Sequence, residues 1–409
     1  MEYDLVFEGG GAKGMVFVGA MQEFEKRGHR YKRLLGTSAG AITATLLAAG
    51  YTAQEMQEAL GEKENGASVF EGFMGHPGPY AKDQVLHSVT LSFLQDVDLP
   101  FIPNFIENKV DQMIVEWLSS DPRMANSYSL LEFGGWYSAA KFIEWMKRRL
   151  DTGMNQGKPR QYSGMNLKQF FEATQSDLSV VASDTTAGAM LVLNHRTAPD
   201  VPLVWAVRMS MSIPLLWQEV IWKEEWGKYR GREMAGHAIV DGGMLSNFPI
   251  ELFLSQDGLV KKLMGEDAGQ GVLGMMIDES IAVEPAPVAA VKPVVDLGQL
   301  PLLRRIKNLV DTTLSARDKM VSEEAEKMVV RLPAGGYGTT EFDMSEEKRA
   351  RLVNAGSDAM RIHLDQLQAQ EEAAAMGAVS FDTAAIEKQI QDEERLKRQA
   401  DKVAMKIFK

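Results

Sequence analysis

Hydrophobic positions at the start of the chain form two short runs, each followed by a glycine-rich turn and a helix-like apolar stretch. The run at residues 3–7 enters FEGGGAKG, after which apolar residues recur at helical spacing until Gly28. The pair Leu34-Leu35 enters GTSAG, and the following AITATLLAAG has the small apolar residues of a buried helix. The repeated order of strand, turn and helix predicts an α/β fold with parallel strands.

The remaining pattern divides the chain into strands, an insertion and a tail. Proline and glycine alternate with large aromatic residues over residues 70–135, which predicts an insertion over one end of the sheet. From about residue 368, charged residues, Ala and Gln dominate, with an approximate helical stripe of apolar positions. We therefore predict a domain at residues 1–363 that contains the insertion, and a charged helical tail at residues 364–409. Further strands are predicted at residues 177–183, 189–194, 237–240, 271–277 and 327–332.

Composition narrows the class of protein. Of 409 residues, 45% are apolar and 24% are charged, as in soluble globular proteins. A net charge of −12 argues against general nucleic-acid binding, which needs clustered cations, and the absence of cysteine excludes disulfides and thiol catalysis. No segment has the pattern of a signal peptide or a membrane span. We expect a cytoplasmic protein as synthesised, with peripheral membrane contact, and leave open its export as an effector without a cleaved signal.

The first glycine-rich turn satisfies G-x-G-x-x-G through Gly9, Gly11 and Gly14. In a dinucleotide-binding unit, an acidic residue about 20 residues further on holds the ribose at the end of the second strand. Here that strand ends at GTSAG, without an acid. The dinucleotide-binding motif therefore lacks its acidic residue, and dinucleotide binding is a remote alternative.

The second turn, at residues 36–40, has the G-x-S-x-G pattern of a nucleophile elbow. Its glycines permit the sharp strand-to-helix turn that would lift the Ser38 hydroxyl to the end of the sheet, beside a helix N-terminus that favours negative charge. The alternative is an ordinary Gly-Ser turn. Ser38 follows only the second strand, which is too early for the common α/β-hydrolase order, and none of the six histidines stands in a motif that marks it as a base.

Asp241 is the candidate base. It ends the apolar strand at residues 237–240 and precedes two glycines, which predicts a carboxylate at the carboxyl end of the sheet, where α/β folds keep their sites. A carboxylate is a good base for a serine hydroxyl only where nonpolar surroundings raise its pKa. The alternative is an Asp-Gly turn. Asp184, which also follows an apolar strand, is a rival base that we rank lower.

The motifs GGGAKG, GTSAG and DGG occur in the order found in patatin-like phospholipases, and the sequence closely resembles that family over about residues 1–363. The resemblance implies a three-layer α/β fold, with a mostly parallel central sheet flanked by helices, and a Ser–Asp dyad without histidine. Carried onto this chain, it makes Ser38 the nucleophile and Asp241 the base, with Lys13 in a basic position that would help hold phosphate. The implied oxyanion hole comprises Gly9, Gly10, Gly11, Lys13 and Gly14.

This resemblance implies a lipid acyl hydrolase of the phospholipase A or lysophospholipase type, with an acyl-enzyme on Ser38. Its substrate would be a phospholipid or lysophospholipid at a membrane or micelle surface. We expect no cofactor and no metal, because no cluster of histidines or carboxylates has recognisable metal spacing. The alternative is a lipid- or membrane-binding protein on the same fold, catalytically idle or inactive until an activating protein partner binds. The sequence does not indicate the oligomeric state.

Two segments have roles that the sequence leaves open. The apolar side chains of the insertion suit a packed cap, or a mobile lid that exposes an acyl channel at an interface. The basic end of the tail suits a solvated helix, which is the default, a helix on an anionic membrane, or pairing with another chain. The insertion side chains in question are Phe73, Phe93, Phe101, Ile102, Phe105, Ile106 and Trp117.

Overall fold

The computed structural model describes residues 1–64, 66–90, 92, 122–283, 325–339, 341–377 and 383–408. Its strands are β1 (Glu2–Phe7), β2 (Arg30–Thr37), β3 (Lys63–Glu64), β4 (Ala67–Ser68), β5 (Gly135–Tyr137), β6 (Met154–Asn155), β7 (Lys158–Pro159), β8 (Asp177–Asp184), β9 (Ala189–Leu193), β10 (Leu215–Trp217), β11 (Val220–Ile221), β12 (Ala238–Asp241), β13 (Gly271–Ala282) and β14 (Val329–Gly335). Its α-helices are α1 (Met15–Lys26), α2 (Ala39–Ala48), α3 (Ala53–Leu60), α4 (Val69–Phe73), α5 (Lys82–Leu86), α6 (Pro122–Phe133), α7 (Ala140–Leu150), α8 (Leu167–Thr174), α9 (Leu203–Ser210), α10 (Glu251–Leu254), α11 (Gly258–Met264), α12 (Glu346–Gly377) and α13 (Thr383–Phe408).

The centre of the molecule is an eight-stranded sheet. Five strands run parallel in the order β8-β2-β1-β13-β14. Three more join antiparallel: β9 and β12 both pair with β8, and β11 pairs with β12. The prediction of an α/β fold with a mostly parallel central sheet is confirmed.

Alternate residues of the parallel strands face two different layers. In β1, Leu5 and Phe7 belong to the larger buried cluster and Val6 to the smaller one. Helices α1, α2 and the first half of α12 contribute to the larger cluster, whereas α10, α11 and the end of α13 contribute to the smaller. Because both faces of the sheet are covered, its parallel strands are continuous apolar runs rather than alternating ones.

Helix α12 crosses α1 at backbone contact. A Cβ atom on Gly19 would lie 1.7 Å from the carbonyl oxygen of Val353, and one on Gly356 would lie 2.1 Å from that of Val16. Larger side chains at these two glycines would push the helices apart. Helix α12 spans the boundary between residues 363 and 364, and the division into a domain and a tail stays a prediction.

The C-terminal helix α13 packs on the domain through its second half. Ala400 and Ala404 are buried in the smaller cluster. The Asp401 carboxylate accepts hydrogen bonds from the Ser255 hydroxyl at 2.6 Å and the Gln256 N–H at 2.7 Å. The default expectation of a solvated helix is therefore wrong for this half. Among the described residues, every helix is too short or too polar to cross a bilayer.

The insertion is described in part. Its described stretches include α4, α5 and α6, and Phe73 is buried against Phe70, Phe142 and Trp145, with ring centroids 5.0 to 5.3 Å apart. Phe73 thus behaves as a packed cap residue. The other side chains named for this segment lie outside the described residues: Phe93, Phe101, Ile102, Phe105, Ile106 and Trp117.

Candidate active site

The ends of two strands meet along one edge of β8. Strand β9 pairs with β8 from Val180 to Asp184 along one edge of β8. Strands β2 and β12 share the opposite edge. The last residue of β2, Thr37, lies opposite Val181, and the last residue of antiparallel β12, Asp241, lies opposite Ala182. The two strands therefore approach each other end to end, which brings Ser38 and Asp241 together.

Ser38 has the backbone of a nucleophile elbow. Its φ of 52° and ψ of −118° are unusual for a residue with a side chain, and helix α2 begins at the next residue. The Ser38 N–H donates to the Ser210 hydroxyl oxygen at 2.9 Å. The turn requires its flanking glycines, since a Cβ on Gly36 would lie 2.3 Å from the Gly40 carbonyl oxygen.

The Asp241 carboxyl is buried with few partners. Its Oδ1 accepts the Gly243 N–H at 2.8 Å, and its own N–H donates to the Ser212 carbonyl oxygen at 2.9 Å. Burial raises the pKa of Asp241 to about 7, against the opposing effects of hydrogen bonds from the Ser38 side chain and the Gly243 N–H. Oδ2 has no partner with ordinary hydrogen-bond geometry among the described residues. The Ser38 contact is therefore loose, as is common before substrate binds.

The first glycine loop lies directly against the elbow. A Cβ on Gly9 would lie 3.1 Å from the Ser38 Cβ, and one on Gly14 would lie 2.7 Å from the Ala39 Cβ. Gly11 has a φ of 56°, which favours glycine, and a Cβ there would lie 2.2 Å from the Thr339 carbonyl oxygen. The structure therefore brings Gly9 and Gly14, two of the predicted hole residues, beside the turn that carries the predicted nucleophile.

Hydrogen bonding within the loop distinguishes its N–H groups. The N–H groups of three loop residues are engaged, with acceptors 2.9 to 3.2 Å away: Gly9 to Asn247, Ala12 to Thr339 and Lys13 to Gly10. Those of Gly10 and Gly11 donate to no acceptor within the described part of the chain. The two glycines are thus the loop residues whose N–H groups remain available to an oxyanion.

Lys13 already has a partner. Its side chain is buried, and its ammonium group forms an ion pair with the mostly exposed carboxylate of Glu279. A substrate phosphate would have to compete with that carboxylate for the ammonium group. The phosphate-binding role of Lys13 stays a prediction.

Asp184, the rival base, is engaged elsewhere. Its Oδ1 accepts the Ala187 N–H at 3.0 Å, and its Oδ2 lies 2.8 Å from His237 Nδ1. It is fully buried and lies opposite Ile239 at the start of β12. Through these contacts, Asp184 binds the residues just after β8 and just before β12.

Asn247 ties the glycine loop to the segment after Asp241. Its Nδ2 donates to the Glu8 carboxylate at 3.1 Å and to the Gly9 carbonyl oxygen at 2.9 Å. The other Glu8 oxygen accepts the Ile277 N–H at 2.5 Å. The sequence analysis did not identify Asn247. Its position four residues after the DGG motif is the only local feature that could have drawn attention to it.

A second support lies after helix α9. Ser210 accepts the Ser38 N–H, and Ser212 accepts the Asp241 N–H through its carbonyl oxygen. Arg208, fully buried, donates to the Ser212 hydroxyl and to the Gln218 carbonyl oxygen, and burial lowers its pKa to about 9. One short segment thus fixes the backbone of both the predicted nucleophile and the predicted base. The sequence of this segment, RMSMSIP at residues 208–214, did not indicate that it contacts Ser38 and Asp241.

A pocket adjoins the elbow and the glycine loop. It is lined at one side by Gly11 and Ala39 and contains about 440 Å³ of space between atoms, part of it open to solvent. Its walls are mainly apolar and come from Met15, Ile42, Leu60, Phe70, Phe342 and Met344. Such a lining suits an acyl chain. Within the described residues, no group of three or more His, Asp or Glu side chains is arranged to hold a metal ion.

The chain is similar to several known proteins. The family model described as patatin-like phospholipase matches residues 5–254. The uncharacterised protein YqhO of Bacillus subtilis (strain 168) is 27% identical over 373 residues, which cover 90% of this chain and 99% of that protein. The probable lipid hydrolase 463L of invertebrate iridescent virus 6 is 22% identical over 248 residues, 61% of this chain and 62% of that protein. The crystal structure of VipD from Legionella pneumophila aligns with a TM-score of 0.43 at 19% identity, covering 89% of this chain and 67% of that one.

Proposed function

The chain belongs to the patatin-like phospholipase family, and we propose that it hydrolyses carboxylic esters of phospholipids or lysophospholipids with Ser38 as nucleophile and Asp241 as base. The family and the relative named as a probable lipid hydrolase support a lipid hydrolase in general. The observation that carries the residue assignment is the end-to-end meeting of β2 and β12, which sets Ser38 beside a buried carboxyl with a pKa of about 7.

In the first step, ionised Asp241 accepts the Ser38 proton while Oγ attacks the ester carbonyl carbon. The carbonyl oxygen becomes an oxyanion, and the N–H groups of Gly10 and Gly11 are the donors that we assign to it. An elbow commonly adds the N–H of the residue after the nucleophile, here Ala39. Each donor of this kind is typically worth about 10² to 10³ in rate.

Collapse of the intermediate breaks the ester bond and leaves the acyl group on Ser38. Asp241, now protonated, passes its proton to the leaving alkoxide. It then takes a proton from water, whose oxygen attacks the acyl-enzyme, and returns that proton to Ser38 as the acid leaves. A pKa of about 7 suits both directions, because the carboxyl is neither always charged nor always neutral near neutral pH.

Intact-mass analysis after fluorophosphonate treatment tests the assignment. We expect one adduct on the wild type, none on Ser38→Ala and little on Asp241→Asn. Asp184→Asn is the matched control, because that carboxyl is also buried but binds His237 and Ala187; it should keep the adduct. Each variant is labelled with and without cell extract. An adduct that forms only with extract would indicate a partner-activated enzyme, and none in either case would favour an idle lipid-binding protein.

A further inference from the structure

One buried cation near the site forms no ion pair with any carboxylate of the described residues. Arg349, in the first turn of α12, is 8% exposed, and its Nη1 donates to the Ser68 hydroxyl oxygen at 3.2 Å. In the described part of the chain it forms no ion pair. Glu346, one turn earlier, attracts Arg349 electrostatically, but its exposed carboxylate forms its ion pair with Lys63, at 2.9 Å. A guanidinium carries five N–H donors, so most of its binding capacity is unused.

Arg349 lines the same pocket as Gly11 and Ala39. The pocket is otherwise mainly apolar, and a charge in such surroundings is unfavourable unless an anion joins it. The chain as a whole has a net charge of −12, so binding of an anionic substrate group requires a local cation. Lys13, the cation that sequence reasoning favoured, is held by Glu279.

A purely structural role explains Arg349 poorly. Ser68, its partner, is the N-cap of α4, where its hydroxyl oxygen also accepts the Phe70 N–H at 3.4 Å. A neutral donor such as the glutamine amide could make the same bond to Ser68. The positive charge is the property that this contact leaves unexplained.

We infer that Arg349 binds an anionic oxygen group of the substrate, a phosphate or a carboxylate, inside the pocket beside the glycine loop. This inference rests on the proposed function and deepens it, because it makes Arg349 a specificity-determining residue for anionic lipids. The guanidinium donates charge-assisted hydrogen bonds to the anion, while the apolar walls hold the chain.

Paired substrates test the charge directly. 1-Decanoyl-lysophosphatidate and 1-monodecanoylglycerol differ only in the phosphate. We expect Arg349→Gln to lower kcat/KM about tenfold to a hundredfold for the lysophosphatidate, and to leave the value for the glycerol ester within about threefold. Arg361→Gln is the matched control, since Arg361 is an exposed arginine on the same helix. Equal slowing of both substrates, or of neither, would overturn the inference and leave the proposed function standing.

A binding measurement separates the two hypotheses. Calorimetry on Ser38→Ala, with and without Arg349→Gln, would use decyl phosphate, decanoate and decanol, so that hydrolysis plays no part. We expect the second substitution to weaken binding of one or both anions about tenfold or more, with decanol unchanged. The anion whose binding is weakened shows whether Arg349 binds a phosphate or a carboxylate. Unchanged binding of both anions refutes the role of Arg349, even if the wild type hydrolyses neither ester and the proposed function fails.

Discussion

Replacing Asp241 with Asn should abolish activity and, above neutral pH, raise stability. Asparagine keeps an oxygen for the Gly243 N–H and presents an amide where the carboxylate faces Ser38. It removes a group whose ionised form is penalised by burial. In the wild type, the unfolded chain releases the Asp241 proton near the ordinary pKa of 3.8, whereas the folded chain holds it up to about 7.

The size of the effect follows from linkage. A raised folded-state pKa favours folding fully below pH 3.8, and that contribution is lost as the pH rises to about 7. At about 1.36 kcal/mol per pH unit, the rise from 3.8 to about 7 corresponds to about 4 kcal/mol. The free energy of unfolding of Asp241→Asn minus that of the wild type should therefore increase between pH 4 and 7 and level off above it.

Urea unfolding of both proteins at pH 4.5, 5.5, 6.5, 7.5 and 8.5 measures this difference. Other titrating groups are common to the two chains and largely cancel. Asp184→Asn is the control for removing a buried carboxylate as such, and it should lower stability, because the amide keeps an oxygen for the Ala187 N–H but removes the carboxylate oxygen that faces His237. A difference that stays flat from pH 4.5 to 8.5 would refute the assignment of Asp241 as a buried weak acid.

Three further predictions concern the rate. The wild-type kcat/KM should rise with pH and reach half of its plateau near pH 7, because Asp241 must be ionised to accept the proton; a pH profile with neutral monodecanoylglycerol measures it. Gly11→Ala should lower kcat/KM about 10²-fold or more, since its φ of 56° and the Thr339 carbonyl oxygen, 2.2 Å from the new Cβ, force the loop to move; far-UV circular dichroism checks that the fold is kept. Asn247→Ala should lower kcat about tenfold or more with a smaller change in KM, because the Glu8 carboxylate and the Gly9 carbonyl oxygen lose the Nδ2 donor, although the backbone hydrogen bond from the Gly9 N–H remains. An unchanged kcat would contradict that role.

The sequence predicted the sharp strand-to-helix turn at Ser38 and the sheet class through local patterns. Ser38 is identified by glycines within two residues of it, and β1 and β2 by apolar runs that both layers bury. The expected end of the sheet was right for Asp241, but β12 is antiparallel to β8. A short apolar run in the sequence does not indicate whether the strand is parallel or antiparallel to its neighbour. Asp241 still reaches the site because β12 overlaps only the last three residues of β8.

The supporting residues lay beyond sequence reasoning because their contacts join distant segments. Ser38 meets Ser210 across 172 positions, and Ser68 meets Arg349 across 281. The periodicity of apolar residues within one helix or strand contains no information about contacts between segments so far apart in the sequence. In the fold, the polar and charged side chains that these patterns left unexplained contact the segments around Ser38, Asp241 and the pocket.

A site with this strain and this buried charge requires a rigid sheet. A positive φ at Ser38 and a buried carboxyl at Asp241, with its pKa raised to about 7, both oppose folding at neutral pH. Neither would persist on a mobile loop, because the chain would relax the strain or admit water. They persist because strands β2, β8 and β12 are hydrogen-bonded into one sheet whose two faces are covered. Stabilising substitutions should therefore be found most readily at the residues on which catalysis depends, with activity as their cost.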